Sequence, residues 1–76
     1  MITVKLYGLI RIDSGIKERK IEAAGIKEVF QELVRLGISQ ADLNSCIILI
    51  NGNPASKRSM LHDGDVVQLM SPVAGG

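Results

Sequence analysis

Residues 25–37, with the sequence GIKEVFQELVRLG, decide the fold because their apolar positions recur with the period of a helix. The apolar positions, spaced i, i+3, i+4, i+7 and i+8, are Ile26, Val29, Phe30, Leu33 and Val34. Charged and amide side chains fill the opposite face, at Lys27, Glu28, Gln31, Glu32 and Arg35. This spacing predicts one amphipathic helix of about three turns. Gly37 has the position of a helix C-cap, so we expect the helix to stop there.

Two strands are predicted before this helix. Residues 2–8 alternate between apolar and polar side chains, which is typical of a half-buried strand. Residues 16–22 alternate again around a charged triplet, which indicates an outer strand that pairs with the first in a hairpin. Residues 9–15, between the two strands, end in an Asp-Ser-Gly cluster that favours turns, so a connection is expected there.

Further strands are predicted after the helix. Residues 39–45 are polar and are expected to hold a brief turn. Residues 46–50 are wholly apolar and predict a third strand that is apolar on both faces. Residues 53–61 have an irregular pattern, with room for a very short strand, and residues 65–70 predict the last strand, which follows an Asp-Gly turn.

This order of elements predicts an α+β domain of the β-grasp type, with a mixed four- to five-stranded sheet packed on one helix. Residues 1–71 are expected to form that domain. Residues 72–76 are expected to form a flexible C-terminal tail that ends in Gly-Gly, because Pro72 has no N–H with which to continue a strand.

Composition excludes several classes of function. The chain has 76 residues, 46% of them hydrophobic and 22% charged, which fits one compact domain and not a disordered protein. A net charge of +1 and only two aromatic residues argue against a nucleic-acid partner. The longest apolar run is too short to span a membrane, and the first residues do not have the pattern of a signal peptide. With a single cysteine and no possible internal disulfide, a cytoplasmic location is expected.

The sequence contains no constellation of catalytic side chains. His62 has no companion at the spacing of zinc ligands or of a nucleophile, which favours a surface-loop histidine and no metal site. Cys46 begins an apolar strand, which favours a buried structural thiol over a nucleophile. Asp63 and Asp65 flank one glycine without the other oxygen ligands of a calcium loop, so they are predicted to form a turn. We therefore expect a protein that is not itself an enzyme.

The third strand indicates a binding surface, because a strand covered on one face only should alternate. If Ile48 and Ile50 point to the helix, their neighbours on the strand point outward, and the last strand repeats this pattern. The outward residues predicted to bind a partner are Ile47, Leu49, Val66 and Met70. A local bulge, or loops that cover the second face, would explain the same pattern without a partner.

Gly75 and Gly76 indicate a second functional feature. Glycine has no Cβ, so a terminal carboxylate on such a stalk can enter a narrow active site where backbone must approach closely. The five residues after Ser71 reach about 17 Å when extended. The alternative is a frayed end without function.

The sequence resembles the small ubiquitin-like sulfur carriers. The similarity lies in INGNPASKRSMLHDGDVVQLMSPVAGG, residues 50–76, and in ITVKLYGLIRIDSG, residues 2–15. The resemblance implies a β-grasp fold and sulfur carried as a thiocarboxylate on Gly76, formed after adenylation by an enzyme similar to those that charge ubiquitin. It also implies that the tail enters the active sites of partners. The tail residues are Pro72, Val73, Ala74 and Gly75.

Within that family the ending SPVAGG is most similar to the small subunit of molybdopterin synthase, in which a second proline is usual where this chain has Ser71. The resemblance implies a carrier with no bound cofactor, while the activating enzyme uses ATP. The implied partners are that E1-like adenylyltransferase, a sulfur donor enzyme, and either a molybdopterin synthase large subunit or a thiazole synthase. Carriers for thiamine thiazole or tRNA thiolation, a ubiquitin-like protein modifier, and a passive β-grasp interaction module remain alternatives.

Overall fold

A computed structural model describes residues 1–71 of the chain. The described elements are, in order, β1 (Ile2–Tyr7), α1 (Leu9–Ser14), β2 (Glu18–Ile21), α2 (Ile26–Arg35), α3 (Gln40–Asn44), β3 (Ile47–Ile50), β4 (Asn53–Pro54) and β5 (Val66–Met70). The predicted tail, residues 72–76, lies outside the described residues.

The strands form one five-stranded sheet in the order β2-β1-β5-β3-β4. β1 and β5 pair in parallel, while β1 with β2, β3 with β5, and β3 with β4 pair antiparallel. The sheet is therefore mixed, as predicted, and the last strand of the chain lies at its centre.

One face of the sheet and helix α2 share a single hydrophobic core. α2 contributes Ile26, Val29, Phe30 and Leu33, all almost fully buried, which confirms the helical spacing. Val34, the fifth apolar position, is 39% exposed and lies outside the core. The sheet contributes alternate residues of β1 and β5. These residues are Ile2, Val4, Leu6, Val67 and Leu69. The α+β, β-grasp architecture is thus confirmed.

Helix α2 ends as its sequence predicts. The Gly37 N–H donates to the Val34 carbonyl at 3.0 Å, and the Ile38 N–H donates to the Leu33 carbonyl at 3.0 Å. These two bonds define a Schellman motif, which requires a left-handed residue at the glycine position. Gly37 has a φ of 104°, and Ile38 then folds back into the core.

The prediction of a turn at residues 9–15, between β1 and β2, is wrong for most of these residues. Residues Leu9–Ser14 form helix α1, and the Asp-Ser-Gly cluster is only its C-terminal end. Gly15 adopts a φ of 73° and donates its N–H to the Arg11 carbonyl at 3.0 Å. The helix forms because Ile10, on its inner side, is buried in the core at 3% exposure. Tertiary burial outweighs the turn preference of the local residues.

Residues 39–45 likewise contain a helix where a brief turn was expected. α3 spans Gln40–Asn44 and buries Leu43 completely. Its end leads directly into β3, because the Cys46 N–H donates to the Leu43 carbonyl at 3.1 Å. The described part of the chain therefore adds two short helices to the predicted long one.

A polar clamp connects the β3–β4 turn to the start of β5. Asn51 and Gly52 have φ values of 51° and 85°, as the tight turn between two antiparallel strands demands. The Asn51 side chain donates to Asp65 Oδ1 at 2.9 Å and accepts the Val66 N–H at 2.9 Å. Asp65 Oδ2 accepts the His62 N–H at 2.8 Å, which forms the predicted turn. The clamp thus holds together the β3–β4 turn, the turn at residues 62–65 and the start of β5.

Asp65 should make stability depend on acidity. The hydrogen bonds from the His62 N–H and from Asn51 hold the pKa of the Asp65 carboxyl below its ordinary value of 3.8. The unfolded chain then binds the proton more readily, so the stabilisation is complete above that value and is lost as the pH falls through the lowered folded pKa. Asp65→Asn should be less stable at pH 7, and should lose less stability between pH 5 and pH 3 than the wild type does.

Urea unfolding of both proteins across this pH range measures the difference. Asp13→Asn, which removes an exposed carboxylate from α1, is the matched control. Parallel pH profiles for the wild type and Asp65→Asn would contradict the clamp.

Candidate functional site

The outer face of the sheet, opposite the core, is defined by the register of its strands. Tyr7 of β1 pairs with Met70 of β5, and Met70 pairs with Ile47 of β3. In the next row Gln68 pairs with Leu49. The predicted outward residues of β3 and β5 therefore lie close together across two adjacent strands.

The exposure of these side chains agrees with an uncovered face. Ile47 is 58% exposed, whereas its neighbour Ile48 is only 7% exposed and belongs to the core. Leu49, Val66 and Met70 are half-buried and lie outside the core cluster. Pairing of β3 with β5 runs without interruption from Ile47 to Ile50, so a bulge does not explain the double apolar pattern. We call the face formed by Ile47, Leu49, Val66 and Met70 the outer apolar surface.

Polar side chains lie within and beside the outer apolar surface. Gln68, on the central strand, donates its side-chain amide to the Tyr7 hydroxyl at 3.3 Å. Lys5 lies one row further along β1, opposite Gln68. Protein interfaces combine apolar and aromatic residues with a smaller number of polar groups. This face has that composition, and its role in binding a partner stays a prediction.

The sheet places the start of the tail beside this surface. β5 ends at Met70, one of the four residues of the outer apolar surface, and Ser71 is the last described residue. The predicted tail residues Pro72, Val73, Ala74, Gly75 and Gly76 lie outside the described residues. The last described residue therefore lies at the centre of the sheet and next to the apolar face.

The other candidate groups do not assemble into a site. His62 is exposed, with Nδ1 3.9 Å from Asp65 Oδ2. Among residues 1–71 no three side chains of the metal-binding types lie together. In the same part of the chain no helix is long and apolar enough to cross a membrane.

Cys46 has the environment of a structural thiol. Its side chain is half-buried, packs against the core, and lies 3.3 Å from the Asp42 carbonyl, to which the S–H donates. Burial raises the pKa of the Cys46 thiol, and the Asp42 carboxylate raises it further. Since the thiolate is the nucleophile, these effects make Cys46 a poor one at neutral pH.

Two residues of the outer face, Tyr7 and Gln68, are not among the residues predicted from the sequence. Tyr7 and Gln68 belong to the outer face because they share the register of Met70 and Leu49. The alternation of β1 could have identified Tyr7, whose position is outward by the same period. Leu9 and Ile12 lie on α1 and are 42% and 73% exposed. The sequence does not predict them as exposed apolar residues of a helix, because residues 9–15 are expected to form a turn.

The mixed sheet with β5 at its centre, covered on one face by α2, is the β-grasp fold of ubiquitin-like proteins. The sequence model of the ThiS family matches residues 4–76, and the chain therefore belongs to the ThiS family. Proteins of this class are sulfur carriers or ubiquitin-like modifiers and are not themselves enzymes.

Solved structures support the assignment. A chain from the complex of subunits 1 and 2 of molybdopterin-converting factor from Helicobacter pylori is 29% identical, with a TM-score of 0.74, over 99% of this chain and 97% of that one. The Haloferax volcanii small archaeal modifier protein 1 is 17% identical, with a TM-score of 0.69, over 95% and 97%. Urm1 of Sulfolobus solfataricus is 21% identical, with a TM-score of 0.64, over 92% and 99%.

The last two likenesses show the fold alone. A search of curated proteins found no match.

The thiol of Cys46 should react slowly. Because its pKa is raised in the folded protein, the thiolate fraction at pH 7.5 is smaller than in the unfolded chain, and alkylation should be slower in buffer than in urea. The rate should rise steeply as the pH increases toward the raised pKa. Iodoacetamide labelling followed by mass spectrometry measures both rates. Equal rates in buffer and urea would contradict the buried, structural assignment.

Proposed function

We propose that this protein carries sulfur as a thiocarboxylate on Gly76 and donates it in molybdopterin biosynthesis. The observation that carries the proposal is the position of the outer apolar surface, which adjoins the point where the chain leaves β5. A partner that docks on this surface receives residues 72–76 at its own active site. In this proposal the chemistry belongs to the partners, and the carrier contributes its docking surface and its terminal carboxylate.

The proposed reaction begins with activation of a poor electrophile. The Gly76 carboxylate attacks the α-phosphorus of ATP on an E1-like adenylyltransferase, and pyrophosphate leaves. The acyl-adenylate then has AMP as a good leaving group. Sulfur released by a sulfur donor enzyme at the oxidation level of sulfide (HS⁻) attacks the acyl carbon, the bond to AMP breaks, a proton is lost, and the thiocarboxylate remains. The glycines at positions 75 and 76 let the backbone pass through a confined channel without side-chain clashes.

The molybdopterin assignment rests on the Helicobacter pylori protein, which is one subunit of a two-subunit molybdopterin-converting factor. By analogy, the partner that receives the sulfur carrier is a molybdopterin synthase large subunit. The family model equally suits a carrier whose acceptor is a thiazole synthase or tRNA. Because proteins of this class include ubiquitin-like modifiers as well as sulfur carriers, the second candidate function is one in which Gly76 forms an isopeptide bond with a protein lysine.

Intact mass spectrometry tests these functions. The purified chain is incubated with ATP, activating enzyme and a sulfur donor, and its mass is compared with that of the untreated chain. Replacement of one oxygen by sulfur at Gly76 is the expected result, and it also requires the mature chain to end at that residue. Lysine adducts alone would identify a modifier. No ATP-dependent change with any cognate activating enzyme would leave a passive interaction module.

The outer apolar surface should bind the activating enzyme. Leu49→Glu or Met70→Glu places a charge at the centre of the surface, which the partner must desolvate, and should weaken the complex by tenfold or more, about 1.4 kcal/mol. The fold should stay intact because neither side chain belongs to the core.

Calorimetric titration with the activating enzyme measures the affinity, and thermal melts verify folding. Val34→Glu, an exposed apolar residue of α2, is the control for a charge placed elsewhere. Unchanged affinity in both sheet variants would remove this surface from the proposal.

The tail should separate stability from activation. Residues 75 and 76 follow the last strand, so deleting Gly76 or replacing Gly75 by Phe should change stability by no more than about 0.5 kcal/mol. Adenylation should fall by orders of magnitude, because a shortened tail misplaces the reacting carboxylate and a bulky side chain collides with the channel. Thermal melts and ATP–pyrophosphate exchange measure the two properties. A variant that folds and is adenylated at the wild-type rate would show that the glycines have no role.

A further inference from the structure

Ser71, the residue after the last strand, is held by hydrogen bonds across the whole length of the chain. Its hydroxyl oxygen accepts the Ile10 N–H at 3.1 Å. The hydroxyl also donates to the Tyr7 carbonyl at 3.3 Å, and the Ser71 N–H reaches the same carbonyl at 3.3 Å. Both side-chain bonds are partly buried, so water competes weakly for them. The residue that precedes the tail is therefore fixed to β1 and α1 at once.

Gly8 makes room for this arrangement. Its φ of 76° and ψ of −150° belong to a region that only glycine adopts without strain. A Cβ on Gly8 would lie 2.7 Å from Ser71 Oγ and 3.1 Å from the Ser71 carbonyl oxygen. Gly8 is thus required both for the bend between β1 and α1 and for the approach of Ser71.

The serine hydroxyl also completes helix α1. The first N–H groups of a helix have no partner within it, and a side chain at the N-cap usually accepts one of them. The N-cap residue here is Gly8, which has no side chain, and the Ile10 N–H is satisfied by Ser71 instead. Removal of the hydroxyl would leave that N–H without its partner, and only the backbone bond from the Ser71 N–H to the Tyr7 carbonyl would still hold this residue.

We propose that Ser71 is a positioning residue that fixes the direction in which the C-terminal tail leaves the domain. This inference rests on the proposed function, because it matters only if the tail must reach an active site while the outer apolar surface is docked. Because residue 71 is already fixed, one residue fewer has to be ordered when the Gly76 carboxylate is brought to its reaction partner. Ordering one residue corresponds to about tenfold in rate.

The experiment compares Ser71→Ala, which loses both side-chain bonds, with Ser71→Thr, which keeps a hydroxyl. Ile21→Val, a conservative change in the core at the far strand β2, is the control for a general loss of stability. Two quantities are measured: hydrogen exchange of the Ile10 amide in the isolated protein, and kcat and KM for the carrier in ATP–pyrophosphate exchange with the activating enzyme.

Ser71→Ala should expose the Ile10 amide to exchange and lower kcat about tenfold, while KM stays near the wild-type value because the docking surface is intact. Ser71→Thr should restore both, and Ile21→Val should change neither kcat nor KM. Two results would overturn the inference: an Ile10 amide equally protected in Ser71→Ala, or an exposed amide with a wild-type kcat. A wild-type chain that is not adenylated at all would remove the proposed function and this inference with it, an outcome clearly distinct from the other two.

Discussion

The parallel pairing of β1 with β5 is the constraint on which the rest of the structure depends. It joins Thr3 to Val66 at one end and Tyr7 to Met70 at the other, so the first and last strands of the domain lie side by side. Parallel neighbours cannot be joined by a tight turn, and the intervening chain must cross over one face of the sheet. Helix α2 makes that crossing and buries its apolar side against the strands. β3 then pairs with the free side of β5.

This arrangement places the last strand where it is held from both sides. Val67 and Leu69 are completely buried, and the backbone of β5 bonds to two neighbours. The described chain thus ends beside the centre of the sheet and not at one of its edges. Because strand residues alternate between faces, Met70 is directed outward and Leu69 inward at the same exit point. A single strand therefore contributes to the core and to the outer apolar surface, and it ends next to Ser71, the last described residue.

The sequence predicts those elements whose apolar residues recur with a regular period. β1, α2 and β5 have clear periods of 2 or 3.6, and the outward placement of Leu49 and Met70 follows from the same alternation. α1 and α3 have six and five residues, too few to show a helical period, and each forms because one side chain, Ile10 or Leu43, is buried. Their local residues favour turns, and only tertiary packing reverses that preference.

No pattern in the sequence predicts the hydrogen bonds that hold Ser71. Its bond to Ile10 spans 61 positions, and it exists because parallel pairing brings the two residues together. Gly8 illustrates the same limit. Its backbone conformation already favours glycine, but the close approach of Ser71, which a Cβ would obstruct, is visible only in the structure. The proposed function needs a docking face and a defined residue before the tail, and the described fold offers a candidate for each. The outer apolar surface and Ser71 both depend on β5, which pairs with β1 on one side and with β3 on the other.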